Sequence, residues 1–322
     1  MTNLQIAATA AAMVLTGMAA AFIPVYLLHI LILIALYGSL ALAWNILGGM
    51  AGQVSIGHSL FVGFGGYLST VLYLSFGINP WLGMLAGAVS GAALGAVLGF
   101  VIFRRKLTGI FFALVTLAVA EMAYFIVSNT DALGAANGLS ILPQTGLALF
   151  QFGDKRHYFY ISLVLLAVTI LITILIRRSR LGFHLSAIRE NERAAAALGI
   201  NVDGAKIAAA AISGGLAAPI GTFYAQYVLY IDPESLFGVG FSIEPLTHAF
   251  VGGLQSTLGP LFGAIVLIPL SEGLRILLGG RFSGAHLIIY GVVLIGVIRL
   301  APDGLSGAVH QLLARYRKGN RA

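Results

Sequence analysis

The chain has 322 residues, 59% of them hydrophobic and only 9% charged, with a mean hydropathy of +0.97. Soluble domains carry about 25% charged residues, so this is the composition of a polytopic membrane protein. The net charge of +7 reads as topogenic basic residues at one membrane face rather than a nucleic-acid footprint, and the lack of cysteine excludes disulfides and thiolate chemistry.

No Asp, Glu, Lys or Arg precedes Arg104, so the N-terminus lacks the basic region of a secretory signal peptide and is expected to be mature membrane sequence. A bilayer core of about 30 Å takes roughly 20 apolar residues per helix. On that measure spans are predicted near 4–24, 28–47, 55–76, 81–103, 109–129, 158–176, 207–228, 242–258, 260–278 and 285–301. The expected fold is all-α: a polytopic transmembrane helical bundle of about 8 to 10 spans. The range reflects the Gly-rich segments around 48–66 and 252–263, which read as broken or re-entrant. Residues 1–322 are read as one membrane domain.

Gly83, Gly87, Gly91, Gly95 and Gly99 repeat at four-residue spacing on one helix face. Lipid supplies no hydrophobic drive between helices, so such a face is read as a site of close backbone packing, within the chain in preference to a subunit contact. The loop of 130–157, with its Gly and Pro turns, is read as a connection rather than a docking surface.

Basic residues orient the bundle. Arg104, Arg105 and Lys106, six in the segment 177–206, Arg299 and four in the tail 306–322 fall on one side, which the distribution of Lys and Arg assigns to the cytoplasm together with both termini. Lys155, Arg156 and Arg281 fall opposite. The segment 177–206 holds nine charged residues in a chain otherwise made for lipid. Ser186 is read as a helix cap and Gly199 as a left-handed terminator, giving one helix of about three turns. Leu185, Ile188, Ala195 and Leu198 share a stripe on it. So short a helix needs a surface to bury that stripe, and a polar helix between spans must meet water or another protein.

Polar residues within the apolar regions are the other candidates. Trp44-Asn-Ile-Leu-Gly-Gly-Met-Ala-Gly-Gln-Val-Ser-Ile-Gly-His58 carries Asn45, Gln53, Ser55 and His58, each costly if it faces lipid unpaired, among glycines that permit an unwound backbone. Glu121, with Thr116 on the same span, is the acid best placed for a substrate pathway, although an interhelical structural bond is the favoured reading of it. Glu272 is expected to pair with Arg275 one turn on, and Glu244 to lie near a span end. His248 and His286 are read as hydrogen-bonding groups within the bundle, with no spacing that makes a metal site. No Gly-x-x-x-x-Gly-Lys-Ser/Thr loop, His-Glu-x-x-His or Gly-x-Ser-x-Gly motif is present, so the chain is expected to be neither an ATPase by that route nor a hydrolase.

The 44–58 segment, followed by Phe61, resembles the permease subunits of branched-chain amino acid ABC importers of the LivM type. The resemblance runs on through Arg104-Arg-Lys-Leu-Thr-Gly109 to Glu121, through Asn137-Gly-Leu139, through Ala187-Ile-Arg-Glu-Asn-Glu-Arg193 to Asn201, through Val251-Gly-Gly-Leu254 to Ala264, and into Pro302-Asp-Gly-Leu305. Leu133-Gly-Ala-Ala-Asn-Gly-Leu139 departs from that family's Thr-Gly-Gly start, so fold and role carry over better than substrate. The resemblance implies a non-enzymatic permease of a bacterial inner membrane, importing branched-chain or similar small amino acids by alternating access.

It further implies that Ile188, Arg189, Glu190, Arg193, Ala197, Leu198 and Gly199 couple the bundle to ATPases, while Asn45, Gln53, Ser55, His58, Thr116 and Glu121, as polar residues within the apolar regions, are the candidates for the substrate route. No cofactor is expected on this chain, ATP being used by partners. The partners implied are two cytoplasmic ATPase subunits, a second homologous permease, a periplasmic or lipid-anchored solute-binding protein and membrane lipid, with no nucleic acid. The alternative is an ion-coupled secondary transporter using an acid such as Glu121.

Overall fold

A computed structural model describes residues 23–278 without interruption, with residues 9, 11, 13, 15–19, 291, 292, 295, 296, 299 and 304–307. Within these the chain is helical: α1 (Val25–Asn45) runs into a π-turn (Ile46–Met50), followed by α2 (Ser59–Phe76), α3 (Pro80–Arg104), α4 (Ile110–Ser128) and α5 (Lys155–Arg178). Next come the short α6 (Arg180–Glu190) and α7 (Glu192–Ala197), then α8 (Val202–Val228), α9 (Pro233–Phe237), α10 (Gly240–Gly252) and α11 (Gly259–Leu278). Seven of the described helices are long and apolar enough to cross a membrane. The chain is therefore a multi-pass helical membrane protein. The predicted spans 4–24 and 285–301, and His286, lie largely outside the described residues.

One predicted span needs correction. Over 242–258 the helix is only the 13 residues of α10, about 20 Å at 1.5 Å per residue, short of a bilayer core. It stops because Gly253 takes φ +108°, a backbone that a side chain resists, and the chain turns through 253–258 before α11 begins. α10 and α11 are thus two arms of one interrupted element, as the glycines there suggest.

The glycine face of α3 is turned inward, against α8 and α2 of the same chain. A Cβ at Gly91 would lie 2.7 Å from the Gly214 carbonyl oxygen, and one at Gly95 only 2.3 Å from that of Ala210. Leu85, Val89 and Phe100 stay exposed on α3, which is what a lipid-facing surface requires. At one end of the bundle the loop of 130–154 folds rather than hangs: β1 (Leu139–Ser140) pairs antiparallel with β2 (Tyr230–Ile231), and Trp81 stacks on the fully buried Phe150 at 4.3 Å. At the other end lie the Arg104 terminus of α3, the Arg177–Arg178 terminus of α5, and α6 and α7, sharing one apolar cluster through Phe103, Ile176, Leu185 and Val202.

The charged segment also departs from expectation. Ser186 lies inside α6 and does not cap it; Ser179 does, accepting from the Gly182 N–H. The helix breaks at Asn191, whose backbone is extended (φ −158°, ψ 104°) and whose side chain accepts from the Ala194 N–H to start α7. An Asn that satisfies a downstream amide competes with helix continuation, so two short helices replace one. Leu185, Ile188 and Ala195 are buried as the stripe predicts, but Leu198 is 81% exposed, and Gly199 ends the segment at φ +84°.

Gly95→Val is expected to destabilise the fold by at least about 1–3 kcal/mol, the usual cost of overpacking, read as a lower melting temperature of the purified protein in detergent. Gly273→Ala, where an added Cβ meets nothing within 4 Å, is the matched control and should melt no lower than the parent.

Candidate functional site

Two non-helical stretches meet at the basic end of the bundle. The first follows α1: a π-turn and then irregular chain from Ala51 to His58. The second is the 253–258 turn between α10 and α11. Backbone that leaves the helix in an apolar medium must be satisfied by protein groups. Asn45 donates to the Leu254 carbonyl at 3.2 Å, joining the two stretches directly, and Trp44 donates from its indole N–H to the Ser55 carbonyl at 2.8 Å. Gly304, at φ +75°, brings its backbone against Gly252 and Gly253.

His58 sits at the centre of a closed relay. Ser213 gives its hydroxyl hydrogen to the Ala43 carbonyl at 2.7 Å, so its oxygen accepts from His58 Nε2 at 2.8 Å. That leaves His58 Nδ1 as the acceptor, served by the Ser55 hydroxyl at 3.1 Å, while Ser55 Oγ accepts from the Gly57 N–H. Hydrogen-bond logic therefore assigns a neutral imidazole carrying its proton on Nε2. Thr116 joins the same knot, accepting from the Ile56 N–H at 3.2 Å and donating to the Ala113 carbonyl. Gly57 lies so close to Thr116 that a Cβ there would fall 2.1 Å from its carbonyl oxygen. Ser242 of α10 closes the other side, donating to Ser59 Oγ and accepting from the Ser59 N–H, both at 2.9 Å.

The structure thus brings Asn45, Ser55, His58 and Thr116 into one buried polar knot, and Gln53 to its edge, donating weakly to the Ala51 carbonyl at 3.4 Å. Asn45 Oδ1 and Gln53 Oε1 are buried without a partner among the described residues. The cavity beside Ser55 and Thr116 is only about 20 Å³, so the knot is packed shut in this conformation. Glu121 is not part of it: it lies half-buried farther along α4, with no hydrogen bond or ion pair among the described residues.

α6 is tied to the first stretch and the end of α5 to the second. Arg189 donates from Nη1 to the Gly49 carbonyl at 3.1 Å and pairs with Glu190 at 2.8 Å; Arg177, at the end of α5, donates to the Gln255 carbonyl at 2.6 Å. Lys206 is 1% exposed, held by Glu192 at 2.7 Å and lying over the Phe103 ring. Of the seven residues expected to couple, Ile188 and Arg189 face the bundle, while Glu190, Arg193, Ala197, Leu198 and Gly199 are exposed.

A larger opening, of about 520 Å³, lies between α1, α8, α10 and α11. Its walls carry His29, Tyr37, Tyr224, Tyr227, Glu244, Thr247, His248, Ser271, Glu272 and Arg275 among aliphatic residues. Glu272 and Arg275 stand 3.7 Å apart, the local pair that their spacing suggests. Sequence reasoning passed over the cleft as a unit, and over Ser213, Ser242 and Arg177 as partners of the knot. The signal was the spacing: Glu244, Thr247 and His248 share one face of α10, as Tyr224 and Tyr227 do on α8.

The comparisons agree with this architecture. The branched-chain amino acid transport system / permease component family matches residues 26–298. The chain is 28% identical to the high-affinity branched-chain amino acid transport system permease protein LivM of Salmonella typhimurium and 27% to that of Escherichia coli, over 84% of this chain and 67% of each relative. It is 25% identical to the probable branched-chain amino acid transport permease protein LivM of Methanocaldococcus jannaschii, over 86% of this chain and 92% of the relative. No solved structure matches it. With the family profile spanning nearly all of the described bundle, the chain belongs to the family of branched-chain amino acid transport permease components.

Proposed function

We propose that the chain is the membrane-spanning permease subunit of an ATP-binding-cassette importer that moves branched-chain or similar small amino acids across the bacterial inner membrane by alternating access. The observation that carries this reading is the lever: α6 and α7 present Glu190, Arg193, Ala197, Leu198 and Gly199 outward, while Arg189 and Ile188 fix them to the bundle. A soluble partner that binds this face gains a hydrogen-bonded hold on the unwound segment at Gly49. Closure of two ATPase subunits would displace the lever and shift the bundle between two packings, each stabilised by a different partner state.

In this reading the basic end faces the cytoplasm, as the grouping of Arg and Lys there supports, with both termini on that side. The folded loop of 130–154, with Asp232 and Glu234 nearby, faces the solute-binding protein. A second, similar permease completes the pathway. The substrate route includes Asn45, Gln53, Ser55, His58 and Thr116, whose knot must open for passage, and Glu121 is retained as a residue of the route.

Reconstitution of the chain with its partner permease, ATPases and solute-binding protein tests the reading through uptake of radiolabelled leucine. Uptake is expected only with ATP; uptake driven by an ion gradient alone would identify a secondary transporter instead. Arg193→Glu is expected to lower uptake about tenfold or more without loss of membrane insertion, because like-charge juxtaposition at an interface costs several kcal/mol. Wild-type uptake by that variant would remove the coupling role. Arg189→Ala leaves the outward face intact but unties it from Gly49. The expected result is ATP hydrolysis with disproportionately little uptake, together with a loss of stability of about 1–3 kcal/mol for the unpaired carbonyl.

A further inference from the structure

The cleft between α1, α8, α10 and α11 contains an imbalance that the packing of the bundle does not explain. Glu272 has Arg275 beside it, but Glu244 has no cation within ion-pair distance among the described residues. Its side chain is exposed on the wall of the open cleft, which it shares with Tyr37. One turn away His248, only 3% exposed, leaves Nδ1 without a partner among the described residues, again at the cleft wall. A buried imidazole nitrogen without a partner is costly, and an unpaired carboxylate open to the same cleft is placed to meet a cation there.

We infer that this cleft is a binding site for the zwitterionic head of an aliphatic amino acid, with Glu244 receiving the ammonium group. The inference rests on the importer reading and deepens it by placing a substrate site away from the polar knot. An ammonium carries three donors and no acceptor. Glu244 offers carboxylate oxygens, and the unpartnered ring nitrogen of His248 would be one further acceptor with its proton on the other nitrogen.

The substrate carboxylate needs donors. Arg275, 70% exposed and only loosely held by Glu272 at 3.7 Å, has guanidinium N–H groups to spare, and Ser271 adds a hydroxyl, whereas the Thr247 hydroxyl is spent on the Glu244 backbone carbonyl at 2.8 Å. Leu33, Ile243, Leu267 and Ile268 supply an apolar lining for a side chain. With Glu244, Glu272 and Arg275 ionised the cleft carries a net charge of one negative unit, which favours a ligand's ammonium over a bare carboxylate.

The absence of cysteine in the chain makes a direct test available. Thr247→Cys places a single thiol of this chain in the cleft, and its maleimide labelling is followed in the complete reconstituted assembly. Leucine and 3-methylbutylamine at millimolar concentration are expected to slow labelling, whereas 4-methylpentanoate, which lacks the ammonium, is not. Adding Glu244→Gln should raise the leucine concentration needed for half-protection about tenfold, and Glu244→Asp should recover part of it. Labelling indifferent to leucine, or slowed equally by the deaminated acid, overturns the assignment. ATP-dependent uptake by the same cysteine-bearing assembly is measured in parallel, so a silent cleft with ATP-driven uptake rejects this site alone, and ATP-independent uptake rejects the importer.

Discussion

Everything at the basic end depends on how backbone outside a helix is satisfied where water is scarce. The chain unwinds after α1 and again after α10, and the freed groups are met by specific side chains: Asn45 on the Leu254 carbonyl, Trp44 on Ser55, Arg189 on Gly49 and Arg177 on Gln255. Each donor comes from a different stretch of chain than its acceptor, so the two breaks are fastened to each other and to the ends of α5 and α6. An unmet carbonyl in such a place costs about 1–3 kcal/mol, which is why irregular backbone in a membrane is confined to positions that protein can serve.

Against those breaks stands a rigid counterpart. α3, α2 and α8 approach so closely through Gly65, Gly91, Gly95 and Gly221 that side chains of ordinary size would collide with backbone. Contacts of that kind have few alternative arrangements, since dispersion falls off steeply with separation. A second small-residue contact joins α10 to α11, where a Cβ at Gly263 would fall 1.9 Å from the His248 carbonyl oxygen and one at Gly252 1.7 Å from that of Gly259. The His58 relay has one nitrogen bonded to Ser213 of α8 and the other to Ser55 of the unwound segment.

Much of this was legible in the residues. Charge density and apolar run length gave the membrane class and most of the spans, and the four-residue glycine spacing on α3 marked a packing face that the structure turns inward. The glycines at 48–52 and 252–253 announced both breaks. What the sequence withheld came from long-range partnership and from local competition. Nothing near Ser213 or Ser242 signals that one meets His58 from 155 positions away and the other meets Ser59 from 183. Asn191 splits the charged segment because its side chain caps α7, an outcome that apolar periodicity alone does not register. The cleft was missed because its groups are spread over four helices, each contributing two or three polar residues that look incidental on their own.

The position of the lever relative to the cleft follows from connectivity. Arg177 grips the 253–258 turn at Gln255, and that turn is the point from which α10 and α11 diverge. α10 carries Glu244, Thr247 and His248, and α11 carries Ser271, Glu272 and Arg275, so the two arms are opposing walls of the cleft. Gly253, at φ +108°, and Gly259, packed against the Gly253 carbonyl, set the angle between the two arms by close backbone contact. A shift at the end of α5, where α6 begins only two residues beyond Arg178, reaches both walls through one hydrogen bond and the glycine turn. The same shift pulls on Gly49 through Arg189, so the polar knot and the cleft answer to a single input. On the importer reading proposed above, work delivered at α6 would reach the polar knot through Arg189, and work at the end of α5 would reach the cleft through Arg177.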